Sequence, residues 1–363
     1  MSVTESQIRT ALAAVKDPAT GHPLASSGQL RTIAVTPEGS ATLEVDLISP
    51  GFPLRDAFER GIRTALEPLA LGSLTITWGL NVPRKPARKD QNRLPTVKNI
   101  IAVAAGKGGV GKSTVSVNVA MALRRLGARV GILDADIYGP SIPKMLGAAD
   151  RDPQTAGSGD GIAPALYRGI PVMSVEYFVE PGNAVIWRGP MIHKLLTQFL
   201  EDVQWGELDY LVVDLPPGTG DAQLSLCQLI PITGSIIVTT PQEVALIDVR
   251  KAVNMFKKLE VPVLGIAENM SHYRCPSCGH HAEIFGVGGG ERLAKEFEVD
   301  VLARIPIEPS IAYGGEAGRP VVETTPESEH AQAFIELAAR AALETSRRSA
   351  TGPKRSSLLR TVD

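Results

Sequence analysis

The residues best able to do chemistry begin with the string Gly106-Lys107-Gly108-Gly109-Val110-Gly111-Lys112-Ser113-Thr114, which follows an apolar run and opens a helical pattern. Its glycines let successive backbone N–H groups curl around phosphate oxygens. Lys112 can reach β- and γ-phosphates, and the Ser113 hydroxyl suits Mg²⁺. The positive end of the helix beginning at Ser113 favours the same anion. The glycines also satisfy G-x-G-x-x-G, and Asp134 falls where a dinucleotide site keeps its ribose-binding acid. The Lys112-Ser113 pair decides for a nucleoside triphosphate, because a triphosphate and its metal need that pair and a dinucleotide does not. A second string, Asp214-Leu215-Pro216-Pro217-Gly218-Thr219-Gly220-Asp221, supplies a carboxylate at another strand end and a glycine hinge near the γ-phosphate.

Two further strings carry candidate ligands. Asp134-Ala135-Asp136 ends a strand, where a carboxylate can orient an attacking water or hold a metal-bound one. Glu268-Asn269-Met270 follows a buried strand, so Asn269 can read a base or cap a turn. Beyond it, Cys275 and Cys278 form a C-x-x-C whose two thiolates can grip one metal or one edge of a cluster. Two ligands are not four, and Cys227 belongs to an apolar helix where a core role fits. Three completions stay open: two chains pooling four cysteines across a two-fold axis, a zinc site finished by His272, His280 or His281, or a redox dithiol.

Alternating apolar runs and amphipathic helices must position these residues. Buried strands are predicted at 100–105, 130–134, 210–214, 235–240, 263–267 and 301–305, with helices such as 113–126 and 246–259 between them. The alternation predicts an α/β fold with an open, doubly wound parallel sheet. Residues 1–80 read as a small α+β domain, with helical spacing near Ile8, strands at 30–35, 41–47 and 74–78, and a helix over 52–71. Residues 81–98 read as a basic, proline-containing linker with Arg84, Lys85, Arg88, Lys89, Arg93 and Lys98. The nucleotide domain spans 99–344, its last helix near 329–343, and 345–363 reads as a disordered tail.

Composition bounds the rest. The 363 residues include 44% hydrophobic and 21% charged, with a net charge of −2. That excludes a wholly disordered chain and gives no general basic field for nucleic acid. No apolar run suits a transmembrane helix, and the N-terminus lacks the apolar core of a secretory signal. A cytoplasmic protein without membrane or nucleic-acid partners is the expectation.

The strings at 106–114, 134–147, 214–226 and 268–290 together resemble the Mrp/Nbp-type iron–sulfur cluster carrier ATPases, members of the deviant Walker P-loop group with the partition and septum-site ATPases. The resemblance implies a homodimeric ATPase that uses ATP and Mg²⁺. Lys107 then neutralises phosphate charge across the dimer, Asp136 is the switch aspartate, Asp214 the Walker B acid, and Asn269 the adenine-reading residue. It further implies that Cys275 and Cys278 of each chain hold a 4Fe–4S cluster between two subunits, passed from cluster donors to acceptor apo-proteins. The first 80 residues are similar to the small domain that often precedes this ATPase, without the cysteine that some such domains carry before a proline. Two other readings stay in play, a positioning ATPase of the partition or septum-site kind and an ATP-driven electron-transfer reductase. The first needs DNA or membrane contact, which neither the charge balance nor the short apolar stretch Leu358-Leu359 provides.

Overall fold

A computed structural model describes residues 3–85, 93–149, 152–155, 161–179, 189–275 and 277–351. The chain divides into two compact units, Met1–Pro86 with Ala342–Asp363, and Ala87–Ala341.

The first unit contains α1 (Glu5–Ala11), β1 (Leu30–Val35), β2 (Ala41–Leu47), α2 (Arg55–Leu66) and β3 (Leu74–Leu80). β2 pairs antiparallel with β1 and parallel with β3. Its alternating pattern buries Ala41, Leu43 and Val45, and α2 contributes Phe58, Ile62 and Leu66 to the same core, as period-2 and period-3.6 patterns require. The buried Asp17 carboxylate ties the unit's loops. Its Oδ1 accepts the N–H groups of Ala19 and Thr20, and its Oδ2 accepts from Gln29 Nε2 at 2.7 Å.

The second unit opens with β4 (Val97–Ala105), α3 (Lys112–Arg125), β5 (Val130–Asp134) and the short helix α4 (Ile142–Met145). A small ribbon, β6 (Gln154–Thr155) and β7 (Ile162–Ala163), precedes β8 (Ala165–Tyr167), β9 (Ile170–Ser174) and α5 (Gly189–Glu201). Then come β10 (Leu208–Asp214), α6 (Asp221–Leu229), β11 (Gly234–Thr239), α7 (Glu243–Lys258), β12 (Val263–Arg274) and β13 (His281–Ala282). The chain continues through α8 (Gly289–Phe297), β14 (Val301–Ile307), α9 (Pro309–Glu316), α10 (Val321–Thr324) and α11 (Glu329–Thr351). Among the described residues the sheet order is β13-β12-β11-β4-β10-β5-β9-β8, with β14 also on β12. The inner strands are parallel, and β5, β10 and β11 are buried along their whole length, so both faces of the sheet are covered. The predicted α/β sheet is therefore present. Its two antiparallel edges, β13 and β8, were not foreseen, and neither was β9, where Pro171 disguises the strand signal.

Three boundaries differ from the sequence reading. β4 starts at Val97, so Lys98 lies in a strand, where its Nζ sits 2.9 Å from Asp209 Oδ1, and Arg93 pairs with Glu201 at the same distance. Of the other linker cations, Arg84 and Lys85 are among the described residues, and Arg88 and Lys89 lie outside them. β12 runs seven residues beyond the predicted end at Ala267. Finally, α11 continues through Thr351, into the segment read as a disordered tail, and residues 352–363 lie outside the described ones. From Ala342 onward this helix belongs to the first unit. Leu343 packs on that unit's core, Thr345 and Ser346 are buried, and Arg347 Nε donates to the Ala19 carbonyl at 2.9 Å.

Ending the chain at Glu344 removes the contacts of Thr345, Ser346 and Arg347. Amide exchange around residues 15–24 is expected to speed up about tenfold, for the loss of about 1–2 kcal/mol of local stability, read by hydrogen-exchange mass spectrometry.

Candidate functional site

Parallel pairing brings three strand ends to one edge. β10 lies between β4 and β5, with Asp214 in register with Val103 on one side and Asp134 on the other. The phosphate loop leaves β4 at this edge and runs into α3, in the crevice outside the carboxyl ends where open α/β sheets bind ligands. A side chain at position 106 would collide with the backbone of Asp248 and Val249 in the second turn of α7, so the loop can leave β4 here only through glycine. Gly111 has φ +85° and heads α3, and a Cβ there would strike the Asn269 amide.

The Asp214 side chain is fully buried and collects the loop's polar groups. Its Oδ2 lies 2.7 Å from both Lys112 Nζ and Ser113 Oγ, and its Oδ1 accepts from Ser116 Oγ at 2.6 Å. Lys112 Nζ also stands 3.3 Å from Asp136 Oδ2. Ser116 was missed by the sequence reading, although it follows Lys112 by four residues and so shares its helix face. Ser113 and Asp214, an oxygen pair beside the loop, have the hard-donor chemistry that Mg²⁺ selects.

Asp134 is not a ribose ligand here. It is fully buried, and its carboxylate accepts from the N–H groups of Asp136, Ser141 and Ile142 and from Ser174 Oγ, tying the 136–142 loop to β5 and β9. Burial and the neighbouring Asp214 charge push its carboxyl up to about 7. Burial also raises Asp136, against the pull of Lys112. Asp136 lines a cleft of about 550 Å³ with Tyr138, Pro216, Pro217 and Gln223. Lys107 is half-buried in the loop and forms no ion pair among the described residues.

Asn269 lies within β12 rather than beyond a strand. Its Nδ2 donates to the Val110 carbonyl at 2.8 Å, bracing the phosphate loop. The next residue, Met270, has φ +55°, and the pairing with β14 slips between Asn269 and Tyr273. β12 then ends at Arg274, so Cys275 and Cys278 occupy the turn of the β12–β13 hairpin. The Cys275 N–H donates to the His280 carbonyl at 2.9 Å, and the Gly279 N–H to the Cys275 carbonyl at 2.8 Å. The Cys275 thiol is lowered by hydrogen bonds from the backbone N–H groups of Cys278 and Ser277, so the turn favours a thiolate. Cys278 is exposed. Cys227 is buried and pushed up to about 12 by burial, as its core reading required. The rings of His272 and His281 stack at 5.3 Å, with His272 Nδ1 against Ser271 Oγ, and among the described residues no three His, Cys, Asp or Glu side chains converge on a metal position. No described helix is long and apolar enough to cross a membrane.

The Asp134 carboxyl carries a pH prediction. An unfolded aspartate loses its proton at about 3.9, whereas the folded one keeps it up to about 7, so the folded state binds the extra proton between those values. Its stabilising contribution is complete below about 4, falls as pH rises to about 7, and stays lost above. The difference in melting temperature between wild type and Asp134→Asn should therefore move by several degrees against wild type across that window and flatten above it, as read by calorimetry at fixed ionic strength.

Comparison with known proteins agrees with this geometry. Residues 96–342 match the family model described as NUBPL iron-transfer P-loop NTPase, and residues 5–75 match one described as iron-sulfur cluster assembly protein. The chain is 48% identical over 307 residues to the iron-sulfur cluster carrier protein of Salmonella typhimurium, covering 84% of this chain and 83% of that protein. It is 42% identical over 340 residues to the protein of the same description from Synechocystis, covering 93% and 96%. Among solved structures, the nucleotide-binding protein of Archaeoglobus fulgidus in complex with ADP is similar with TM-score 0.56 and 40% identity, over 62% of this chain and 89% of that one. The cell division ATPase MinD of Pyrococcus furiosus follows with TM-score 0.50 and 26% identity, over 67% and 97%. With the loop, its acids and the parallel sheet all in place, the chain belongs to the iron-transfer P-loop NTPase family.

Proposed function

We propose that this chain is a homodimeric carrier that takes an iron–sulfur cluster from a donor, hydrolyses ATP, and hands the cluster to acceptor apo-proteins. The observation carrying this reading is that one strand, β12, braces the phosphate loop through Asn269 and leads directly into the Cys275–Cys278 turn. Nucleotide and cargo sites thus share one element, five residues separating Asn269 from Cys275.

In this reading the N–H groups of Gly106–Thr114 cradle the phosphates and Lys112 moves from Asp214 and Asp136 to the phosphate charge. Ser113 would hold Mg²⁺, with Asp214 behind it as the acceptor of its hydroxyl, and the ion when bound would screen the phosphates. Asp136 orients the attacking water, and Lys107 reaches the partner subunit's nucleotide, consistent with its lack of an ion pair among the described residues. Asn269 braces the loop and borders the base. Cys275 and Cys278 offer two thiolates from an exposed hairpin turn, and a second copy supplies the other two that a 4Fe–4S cargo needs. Displacing Lys112 also releases Asp136, a route by which phosphate occupancy reaches the cleft lined by Tyr138 and Gln223.

Anaerobic purification tests the cargo. The wild type is expected to be brown, with about four iron and four sulfide per dimer, and Cys275→Ser and Cys278→Ser to be colourless at unchanged ADP affinity. A colourless wild type that copurifies with zinc overturns the cluster assignment. Lys112→Ala should retain the cluster and transfer it to an apo-acceptor at least tenfold more slowly. Transfer at the wild-type rate removes ATP from the mechanism, and a cluster that changes oxidation state without leaving makes the protein a reductase.

A further inference from the structure

The cleft beside the phosphate loop contains polar atoms that nothing in the fold satisfies. Gln223, on α6, is 1% exposed and lines this cleft, and neither its Oε1 nor its Nε2 has a hydrogen-bond partner among the described residues. Asp136 lines the same cleft, and its Oδ1 is also buried without a hydrogen bond. Buried polar atoms left unpaired are rare, because they give up water without replacement. Here one donor group and two acceptors border a single cavity. The cavity adjoins the nucleotide machinery, since the other oxygen of Asp136 lies 3.3 Å from Lys112 Nζ. A core filler at position 223 would be apolar, as Leu226 and Ile230 further along the chain are. An amide carries both a donor and an acceptor, the pairing needed to hold a water against a phosphate oxygen.

We propose that Gln223 is a catalytic residue of ATP hydrolysis, its amide gripping the attacking water and the terminal phosphate from the α6 side while Asp136 holds the water from the β5 side. The inference rests on the ATPase reading above. In the step it serves, the water oxygen bonds to the γ-phosphorus as the bond from that phosphorus to the β–γ bridging oxygen breaks. ADP leaves with the electron pair, and the water proton passes to the released phosphate. Gln223 takes no proton. Its Oε1 accepts a hydrogen bond from the water, and its Nε2 donates to a phosphate oxygen in transfer, so its contribution is positional and electrostatic.

Steady-state kinetics on Gln223→Leu, which deletes both polar atoms at similar volume, tests the assignment. We expect kcat to fall roughly 10²-fold, with KM for ATP and the affinity for a fluorescent ADP analogue within about threefold of wild type. The melting temperature should hold or rise, because the unpaired atoms are gone. Unchanged kcat, or a fall in kcat that tracks lost ADP affinity or a lowered melting temperature, overturns the proposal. Gln223→Glu gives an independent readout that does not need the leucine variant to fold. Its protonated acid restores a donor that its carboxylate lacks, so its kcat should rise as pH falls, whereas a purely structural role leaves the pH profile of wild type. A wild type that hydrolyses no ATP sinks the ATPase reading itself, which separates that failure from this one.

Discussion

The nucleotide edge of the sheet is organised around one buried acid. Asp214 has no exposed surface and sits in register with a second fully buried carboxyl, Asp134, on the adjacent strand. Taking an unpaired charge out of water costs several kcal/mol, so such an arrangement persists only with donors aimed at it. Lys112, Ser113 and Ser116 supply them from the first turns of α3. The geometry of the phosphate loop follows, because the loop must deliver α3 with those three residues facing β10. The exit of β4 through Gly106 and the left-handed Gly111 accomplish that delivery. Asp134 resolves the same problem differently. It is surrounded by backbone N–H groups of the 136–142 loop and holds its proton to near neutrality. The carboxyls of two neighbouring strands are thus accommodated differently, one through a cation and two hydroxyls and one through a retained proton.

Much of this was legible in the residues. The phosphate loop, the acid strings and the strand–helix alternation name their own chemistry, since glycine spacing, Lys-Ser adjacency and apolar runs are local signals. What stayed hidden depends on contacts distant in sequence. Asn269 looked like a base reader or a turn cap, and its partner Val110 lies 159 residues away. The Lys112-Ser113 pair had ruled out a ribose role for Asp134 from sequence, but its placement against Asp214 appears only with the sheet order. Gln223 gave no signal, because an unpaired amide is visible only once its surroundings are known. The β9 strand was masked by Pro171, and the end of α11 by a polar composition that suits a solvated tail as well as a helix docked through Thr345 and Ser346.

β12 connects what the sequence left as separate motifs. From Val263 to Glu268 it is an ordinary interior strand, paired with β11 on one side. At Asn269 it meets the phosphate loop, at Met270 the backbone enters the left-handed region, and four residues later it ends at the cysteine turn. A non-glycine residue held at positive φ is strained and persists where the surroundings over-determine it. That kink lies between the brace on the loop and the thiolates, the place where a change in loop position would be felt at the hairpin. In the first unit the buried Asp17 and Gln29 serve to close its own loops.

The docking of the last helix sets the order in which the protein is completed. Arg347 and its acceptor Ala19 are 328 positions apart along the chain, yet they belong to one compact unit. Residues 15–24 therefore wait for residues 345–347, and the nucleotide-binding unit between them is translated while the small module still lacks that packing surface. The small module thus matures after the unit inserted into it, so its acquired order reports that residues 87–341 have been made.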